Sequence, residues 1–281
     1  MARQGQDARP ASGVASAPSL SSRPPPMIPD SLHIGPIPIH VFGLCLALAF
    51  LAAGWVVGRE FERKGHDREL ASSAVVWAAV GGIVGARLWI VLDAWPEFVA
   101  APVSFLLTGG GFVFYGGLAG GALAMTVFFR RAGIPWLRGA DAVAPGLVLG
   151  QAIGRVGCQL AGDGDWGRVT TLPWGMAYPH AVVGWPHPPG VRVHPTPLYE
   201  CAAYLVVFAF LWARRREPAP DGTIFSWYLV LMSGARFLVE FVRINPPVLL
   251  GLTEAQLVSL ALAALGGSWL AGSRTWRPVA A

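Results

Sequence analysis

The sequence predicts an all-α polytopic membrane protein with about seven transmembrane helices. Hydrophobic residues make up 54% of the 281 residues and charged residues only 13%, whereas soluble domains average about 25% charged residues. The mean hydropathy is +0.50, and the apolar residues fall into long runs separated by short clusters of basic residues. Composition and patterning together therefore place the chain in a lipid bilayer.

Seven apolar runs have the length of a membrane-crossing helix, which needs about 17–25 residues. Their approximate spans are 39–58, 71–93, 111–129, 141–161, 196–213, 223–242 and 255–272. The fourth run is the least apolar because it contains Gln151, Arg155 and Gln159. A shorter run at 99–107 cannot cross a bilayer, and both a re-entrant and an interfacial position are open for it.

The two ends of the chain are expected to lie outside the helical bundle. Residues 1–28 are rich in Arg, Ser and Pro and contain no apolar core of a signal peptide, so they predict a disordered tail. Residues 29–273 are expected to form one transmembrane domain, and residues 274–281 a short cytoplasmic tail.

Basic residues predict the orientation, because cytoplasmic loops accumulate Lys and Arg. The loops after the first, third, fifth and seventh predicted helices hold Arg59, Arg63, Lys64, Arg68, Arg130, Arg131, Arg138, Arg214, Arg215, Arg216, Arg274 and Arg277. The opposite loops hold only Arg168, Arg192 and Arg243. We therefore expect the N-terminus outside and the C-terminus in the cytoplasm. Because the basic residues do not follow one face, we expect no nucleic-acid partner.

One long segment, 162–195, lies on the predicted external side and contains Trp166, Trp174, Trp185 and several prolines. A long aromatic loop of this kind is typical of a functional element, so we expect a periplasmic head. An interfacial belt of aromatic residues explains the tryptophans equally well.

Three arginines, Arg87, Arg155 and Arg236, lie inside predicted membrane helices. An arginine at the centre of a membrane helix costs about 2.5–3.5 kcal/mol, so it normally faces the bundle interior with a partner or a function. Guanidinium groups bind phosphate through two hydrogen bonds, which favours a site for anionic lipid. Glu240 lies four residues after Arg236 and three before Arg243, and this ladder on one helix face also fits a purely structural ion-pair network.

The small residues and cysteines of these helices favour packing over metal binding. Gly150, Gly154 and Gly157 allow either close helix packing or the approach of a ligand head group, and Gly117 and Gly121 have the spacing of a close helix contact. The cysteines, Cys45, Cys158 and Cys201, show no metal-ligand spacing, so we expect no metal site.

Residues 154–168, with the sequence GRVGCQLAGDGDWGR, resemble the signature of the bacterial prolipoprotein diacylglyceryl transferases. The resemblance covers about residues 34–270. Further matching blocks follow in family order: Ile34-Gly35-Pro36 with His40, Gly43 and Leu44; Gly85-Ala86-Arg87; Gly116-Gly117-Leu118; residues 194–200; Arg236 with Val239-Glu240-Phe241; and Leu252-Thr253 with Gln256 and Ser259.

The resemblance implies a seven-helix enzyme of the bacterial inner membrane. Such an enzyme moves the diacylglyceryl group of phosphatidylglycerol to the lipobox cysteine of a prolipoprotein signal peptide. A thioether forms and glycerol phosphate is released, without metal or organic cofactor. The implied partners are thus phosphatidylglycerol, the prolipoprotein and the membrane.

The resemblance also implies roles for particular residues. Arg155 and Arg236 match the essential arginines, Glu240 matches their acidic partner, and Asp163 or Asp165 stands for the signature acid. Tyr115 replaces the histidine proposed as base for the substrate thiol, so it completes the expected catalytic set. The expected substrate-binding residues are Arg87, Cys158, Gly154, Gly167, Gly116, Gly117, His40 and His194.

Some positions depart from the family pattern. Cys158 replaces an asparagine, Phe42 and Met232 stand where tyrosines are usual, and the signature has one extra residue within 162–165. A phenol has a pKa of about 10 and is a weak base, so Tyr115, a carboxylate, His40 and His194 all stay open as the base. The alternative function is a family member that binds anionic lipid or lipoprotein without catalysis or with another substrate. A transporter would predict repeats or paired broken helices, which the sequence lacks.

Overall fold

The computed structural model describes residues 31–34, 37–103 and 114–273 of the chain. The predicted tails, residues 1–28 and 274–281, lie outside the described residues. The short apolar run at 99–107 is described only as far as residue 103.

The described residues form eight helices, so the helical fold class is confirmed. They are α1 (Val41–Arg63), α2 (Leu70–Asp93), α3 (Trp95–Ala100), α4 (Phe114–Arg131), α5 (Trp136–Ala161), α6 (Thr196–Arg214), α7 (Thr223–Glu240) and α8 (Glu254–Ser273). By length and composition, α1, α2, α6 and α8 can each cross a membrane. The remaining predicted spans correspond to α4, α5 and α7, and the count of seven crossings stays a prediction.

The predicted fold class was all-α, but the described residues also form two short antiparallel hairpins. Strand β1 (Ser31–Ile34) pairs with β2 (Ile37–His40), and β3 (Pro247–Leu249) pairs with β4 (Leu252–Thr253). Strands of two to four residues are too short to leave a clear period-two pattern, which explains why the sequence did not predict them. The second hairpin turns through Leu250 and Gly251, both with positive φ angles.

Glycines bring α1 close to α5. A Cβ atom at Gly146 would lie 2.9 Å from the carbonyl oxygen of Ala53, and one at Gly157 would lie 3.0 Å from the Cβ atom of Cys45. Gly154, on the same helix, has no neighbouring atom within 4 Å of a Cβ position. The sequence left open whether these glycines serve close helix packing or the approach of a ligand. Gly157 serves packing, whereas Gly154 faces open space.

The contact between α2 and α4 corrects one expectation. A Cβ at Gly120 would lie 2.7 Å from the Cα atom of Gly85, and one at Gly116 would lie 2.6 Å from the carbonyl oxygen of Gly85. The predicted pair, Gly117 and Gly121, makes ordinary contacts at 3.4 and 3.7 Å. Both pairs have the same spacing, and the rotation of α4 about its axis decides which one faces α2.

Helices α6 and α7 pack on the other side of α5, and α8 packs on α7. The core there consists of Ala144, Val148, Ala152, Tyr204, Val207, Leu211, Ile224 and Met232. Large apolar side chains point away from the bundle, as a lipid-facing surface requires. Examples are Leu51, Leu92 and Val206, each about 70% exposed.

The segment 162–195 forms a compact unit against the ends of α5, α6 and α7. Trp166, Tyr178 and Val193 form its core, and Trp185 packs on them. A hydrogen bond from Gly167 N to His194 O, at 2.8 Å, joins the two ends of the unit, and one from Arg168 N to Val242 O, also at 2.8 Å, ties its backbone to the chain after α7. Trp166 therefore has a core position, whereas Trp174 is exposed.

Candidate functional site

Arg155, one and a half turns before the end of α5, contacts two carboxylates. Its Nε atom lies 2.8 Å from Oε2 of Glu200 on α6. Its Nη1 atom donates a short hydrogen bond to Oδ2 of Asp165, in the segment that follows α5. Arg155 thus joins α5 to α6 and to the 162–195 unit, and both of these partners are carboxylates.

Arg236 of α7 contacts two carboxylates as well, one of them shared with Arg155. Its Nη1 atom forms an ion pair with Glu240, as the spacing predicted, and lies 3.5 Å from Oε1 of Glu200. Asn245 donates to Oε1 of Glu240 at 2.7 Å. The two arginines predicted to act together are therefore joined through one buried carboxylate.

Arg243 follows the end of α7 and lies between the acids. Its Nη2 atom is 2.5 Å from Oδ1 of Asp165, its Nη1 atom is 3.8 Å from Oε2 of Glu200, and its Nε atom is 3.6 Å from Oε2 of Glu240. Arg155, Arg236 and Arg243 thus face Asp165, Glu200 and Glu240. The cluster balances three positive charges with three negative ones.

Glu200 and Arg243 were missed as site residues by the sequence analysis. The Glu200 side chain is 0% exposed and contacts all three arginines. The available signal was a carboxylate within the apolar run 196–213, because ionisable residues in membrane helices mark functional or paired positions. The signal for Arg243 was its position three residues after Glu240, which predicted an ion-pair ladder but no role in the site.

The structure separates the two candidates for the signature acid. Asp165 contacts Arg155 and Arg243, whereas Asp163 accepts a hydrogen bond from the backbone N–H of Asp165 at 3.2 Å. Burial alone would raise the pKa of Asp165, but the guanidiniums of Arg243 and Arg155 hold it below its usual value. Asp165 is therefore the acid paired with the arginines, as a carboxylate.

Cys158 lies beside this pair, with its Sγ atom 3.7 Å from Nη1 of Arg155. Ligand atoms of Cys158, Asp163 and Asp165 lie within 4.8 Å of one another, the spacing of a possible metal site. Both Asp165 oxygens already bind guanidinium groups, and a cation there would compete with two positive charges. The donor set therefore fits poorly with a metal.

Tyr115 and Arg87 lie on the other half of the bundle. Tyr115, near the start of α4, is close enough to Glu254, Arg236 and Glu240 for electrostatic interaction, so it belongs to the surroundings of the cluster. Arg87 is partly buried near the end of α2. Gly116, from the motif after Tyr115, lies in the contact with α2, and Gly117 is less tightly packed.

The two candidate histidines occupy different surroundings. His40 is exposed at the start of α1. His194 faces a groove of about 560 Å³, also lined by Leu172, Trp174, Tyr199, Leu238, Val239 and Val242. The Tyr199 hydroxyl accepts a hydrogen bond from Trp174 Nε1 at 2.8 Å and lies 3.2 Å from His194 Nδ1. His194 thus belongs to a polar edge of an apolar groove.

The predicted glycines near the cluster differ in their surroundings. A Cβ at Gly167 would lie 2.9 Å from side-chain atoms of both His194 and Thr196. Gly167 therefore allows the 162–195 unit to approach the start of α6. Gly154, one residue before Arg155, faces open space and leaves room for a ligand.

The fold and cluster define the class of protein: a helical membrane protein with a buried cluster of arginines and carboxylates near the ends of α5, α6 and α7. Such an arrangement can bind an anionic head group and stabilise negative charge on a leaving phosphate. The sequence profile of the prolipoprotein diacylglyceryl transferases matches residues 29–271. The chain belongs to this family.

Relatives across bacteria agree with this membership. The phosphatidylglycerol–prolipoprotein diacylglyceryl transferase of Methylibium petroleiphilum is 36% identical over 256 residues, covering 88% of this chain and 91% of the relative. The similarly named protein of Corynebacterium diphtheriae is 32% identical and covers 83% of this chain and 88% of the relative. The second such transferase of Streptomyces coelicolor is 37% identical, with 76% and 69% covered.

Proposed function

We propose that this protein transfers the diacylglyceryl group of phosphatidylglycerol to the lipobox cysteine of prolipoproteins. The thiol attacks a glyceryl carbon, the carbon–oxygen bond to the phosphate breaks, and glycerol phosphate leaves as a thioether forms. Its family membership and the names of its relatives support this reaction. The single observation that carries the proposal is the cluster of Arg155, Arg236 and Arg243 around the buried Glu200.

The proposed chemistry follows from charge. Negative charge grows on the phosphate as the carbon–oxygen bond breaks, and guanidiniums already held in place stabilise it without reorganising solvent. Glu200 and Glu240 hold Arg155 and Arg236 in position, because each acid is fully buried against its arginine. No metal or organic cofactor is needed for this step.

The thiol of the acceptor cysteine must lose its proton during transfer. Tyr115 is our candidate for the base, because it lies beside the cluster, near Glu254, Arg236 and Glu240. His194 is the second candidate, with the hydroxyl of Tyr199 orienting its ring. His40, exposed at the start of α1, is less well supported.

We further propose seven membrane crossings in the bacterial inner membrane, with the N-terminus outside. Besides the basic loops, the positions of the site residues support this orientation. Tyr115 lies at the start of α4, Arg155 near the end of α5, Glu200 at the start of α6 and Glu240 at the end of α7. The proposed topology places all these helix ends on the external side, where a secreted prolipoprotein meets the enzyme.

A transfer assay tests the function directly. Purified protein is given phosphatidylglycerol vesicles and a lipobox peptide, and mass spectrometry measures the diacylglyceryl group on the peptide cysteine. We expect Arg155→Gln to lower the rate at least about 100-fold, since removing one charge-stabilising donor has effects of this order. Tyr115→Phe should lower the rate while leaving lipid binding intact.

The matched control is Arg214→Gln, which removes an arginine whose partner, Glu217, is half exposed and distant from the cluster. This variant should keep the wild-type rate. Full activity in Arg155→Gln would contradict the proposal. Lipid binding by the wild type without transfer would instead favour a binding protein on the same fold.

A further inference from the structure

Asp165 stands apart from the other two carboxylates of the cluster. Glu200 and Glu240 belong to helices, and their side chains are 0% exposed. Asp165 belongs to the 162–195 unit, and its side chain is 30% exposed. The cluster therefore combines two buried acids with one acid that reaches solvent.

The carboxylate of Asp165 uses both oxygens to bridge two arginines. Oδ2 accepts from Nη1 of Arg155, and Oδ1 accepts from Nη2 of Arg243, the latter at 2.5 Å. Two oxygens of a phosphate bind a pair of guanidiniums in the same manner. Asp165 thus occupies the position that a phosphate would take between these arginines.

Binding of a lipid phosphate at this position would change the charge balance of the cluster. The three guanidiniums are already matched by three carboxylates, so a lipid phosphate would bring an unmatched negative charge into a buried site. Displacing one carboxylate restores the balance. Glu200 and Glu240 cannot leave without crossing the helix packing, whereas Asp165 can turn outward to solvent.

The local backbone permits that movement. The carbonyl oxygen of Asp165 is separately held by the Thr196 hydroxyl and by Nη1 of Arg243. The carboxylate can therefore leave while the main chain stays attached.

The arginines would remain in place after the exchange. Arg155 keeps its Nε contact with Glu200 when its Nη1 atom is released. The Arg243 side chain is 9% exposed, and its buried Nε atom has an ion pair with Oε2 of Glu240 at 3.6 Å but no hydrogen bond among the described residues. A guanidinium whose hydrogen-bonding capacity is not filled can accept a further anionic ligand.

We propose that the Asp165 carboxylate is an internal substitute for phosphate, which the phosphate of the lipid head group displaces from Arg155 and Arg243. This inference rests on the proposed function and adds Arg243 to the residues that bind substrate. It also explains product release, because the returning carboxylate competes with glycerol phosphate for the same two guanidiniums.

The test compares Asp165→Asn with Asp163→Asn, a neighbouring acid that does not contact the arginines. Inorganic phosphate is titrated against each purified protein, and thermal stabilisation gives the apparent Kd. We expect Asp165→Asn to bind phosphate about tenfold more tightly than wild type, because one charge-assisted competitor is lost. Asp163→Asn should match wild type. A second experiment measures the binding of phosphatidylglycerol in nanodiscs. Asp165→Asn should again bind more tightly than wild type, and Asp163→Asn should again match wild type.

A measurement on the wild-type protein covers the case in which Asp165→Asn does not fold. Carbodiimide labelling of the Asp165 carboxylate, located by mass spectrometry of the 162–168 peptide, should increase when phosphate is added, because the displaced carboxylate turns to solvent while the main chain stays attached. Unchanged or reduced labelling overturns the inference, as does phosphate affinity in Asp165→Asn equal to or below that of wild type. Tighter binding of inorganic phosphate without tighter binding of phosphatidylglycerol also overturns it. If wild type still transfers diacylglyceryl, the proposed function survives these failures.

Discussion

Glu200 is the residue on which the stability of the cluster most depends. Its oxygens lie 2.8 Å from Nε of Arg155, 3.5 Å from Nη1 of Arg236 and 3.8 Å from Nη1 of Arg243. Replacing it with glutamine keeps the shape of the side chain and removes its charge. The cluster would then hold three guanidiniums against two carboxylates, around an amide that has no solvent exposure.

The expected loss of stability follows from that charge imbalance. Removing one partner of a buried ion pair destabilises a protein by about 3–5 kcal/mol, since the remaining charge is left without compensation. At roughly 2–4 °C per kcal/mol for a chain of this size, the Tm should fall by about 6–20 °C. Transfer activity should fall as well, because Arg155 and Arg236 lose the acid that joins them.

The assay is thermal unfolding of the purified protein in detergent, followed by tryptophan fluorescence at one fixed scan rate. Glu217→Gln is the matched control, since Glu217 also pairs with an arginine at 2.9 Å but is half exposed. An exposed pair contributes about 0–1 kcal/mol, so this variant should unfold close to the wild-type Tm. Equal, small shifts in both variants would refute the view that the buried cluster stabilises the fold.

Two further predictions test packing and titration. Gly120→Ala should destabilise the protein by about 1–3 kcal/mol, because its Cβ would meet the backbone of Gly85 at 2.7 Å. Gly121→Ala, with its nearest atom at 3.7 Å, should be nearly neutral in the same unfolding assay, and equal effects would contradict the packing of α2 on α4. The Tm advantage of wild type over Asp165→Asn should be full above about pH 3.9, the usual pKa of aspartate. Because the pKa of Asp165 is lowered in the folded protein, this advantage should decline as the pH falls below that value. A constant difference from pH 7 to pH 3 would show that the charge of Asp165 is not what stabilises the fold.

Composition and periodicity were sufficient to predict a helical membrane protein and most of its helices. Long apolar runs can satisfy their backbone groups in lipid only as helices, so the fold class follows from local sequence. The pairing of Arg236 with Glu240 was also predictable from local sequence, because residues four apart share a helix face. The hairpins at 31–40 and 247–253 left no comparable pattern.

The composition of the site depended on contacts between distant parts of the chain. The sequence placed Asp163 and Asp165 side by side as equal candidates, and only the fold of the 162–195 unit directs Asp165 to Arg155 and Arg243. The choice between Gly116 and Gly117 as packing residues likewise depends on how α4 is rotated against α2.

The sequence by itself therefore determined that this protein belongs in a lipid bilayer, where most of its helices lie along the chain, and which arginines must be buried among them. Only the tertiary structure decided that Glu200 and Asp165 meet those arginines, because these pairs join residues up to 78 positions apart. The physical reason is that the burial of an arginine, and its pairing within one helix, follow from local sequence, whereas a partner from another helix or loop depends on how the chain packs.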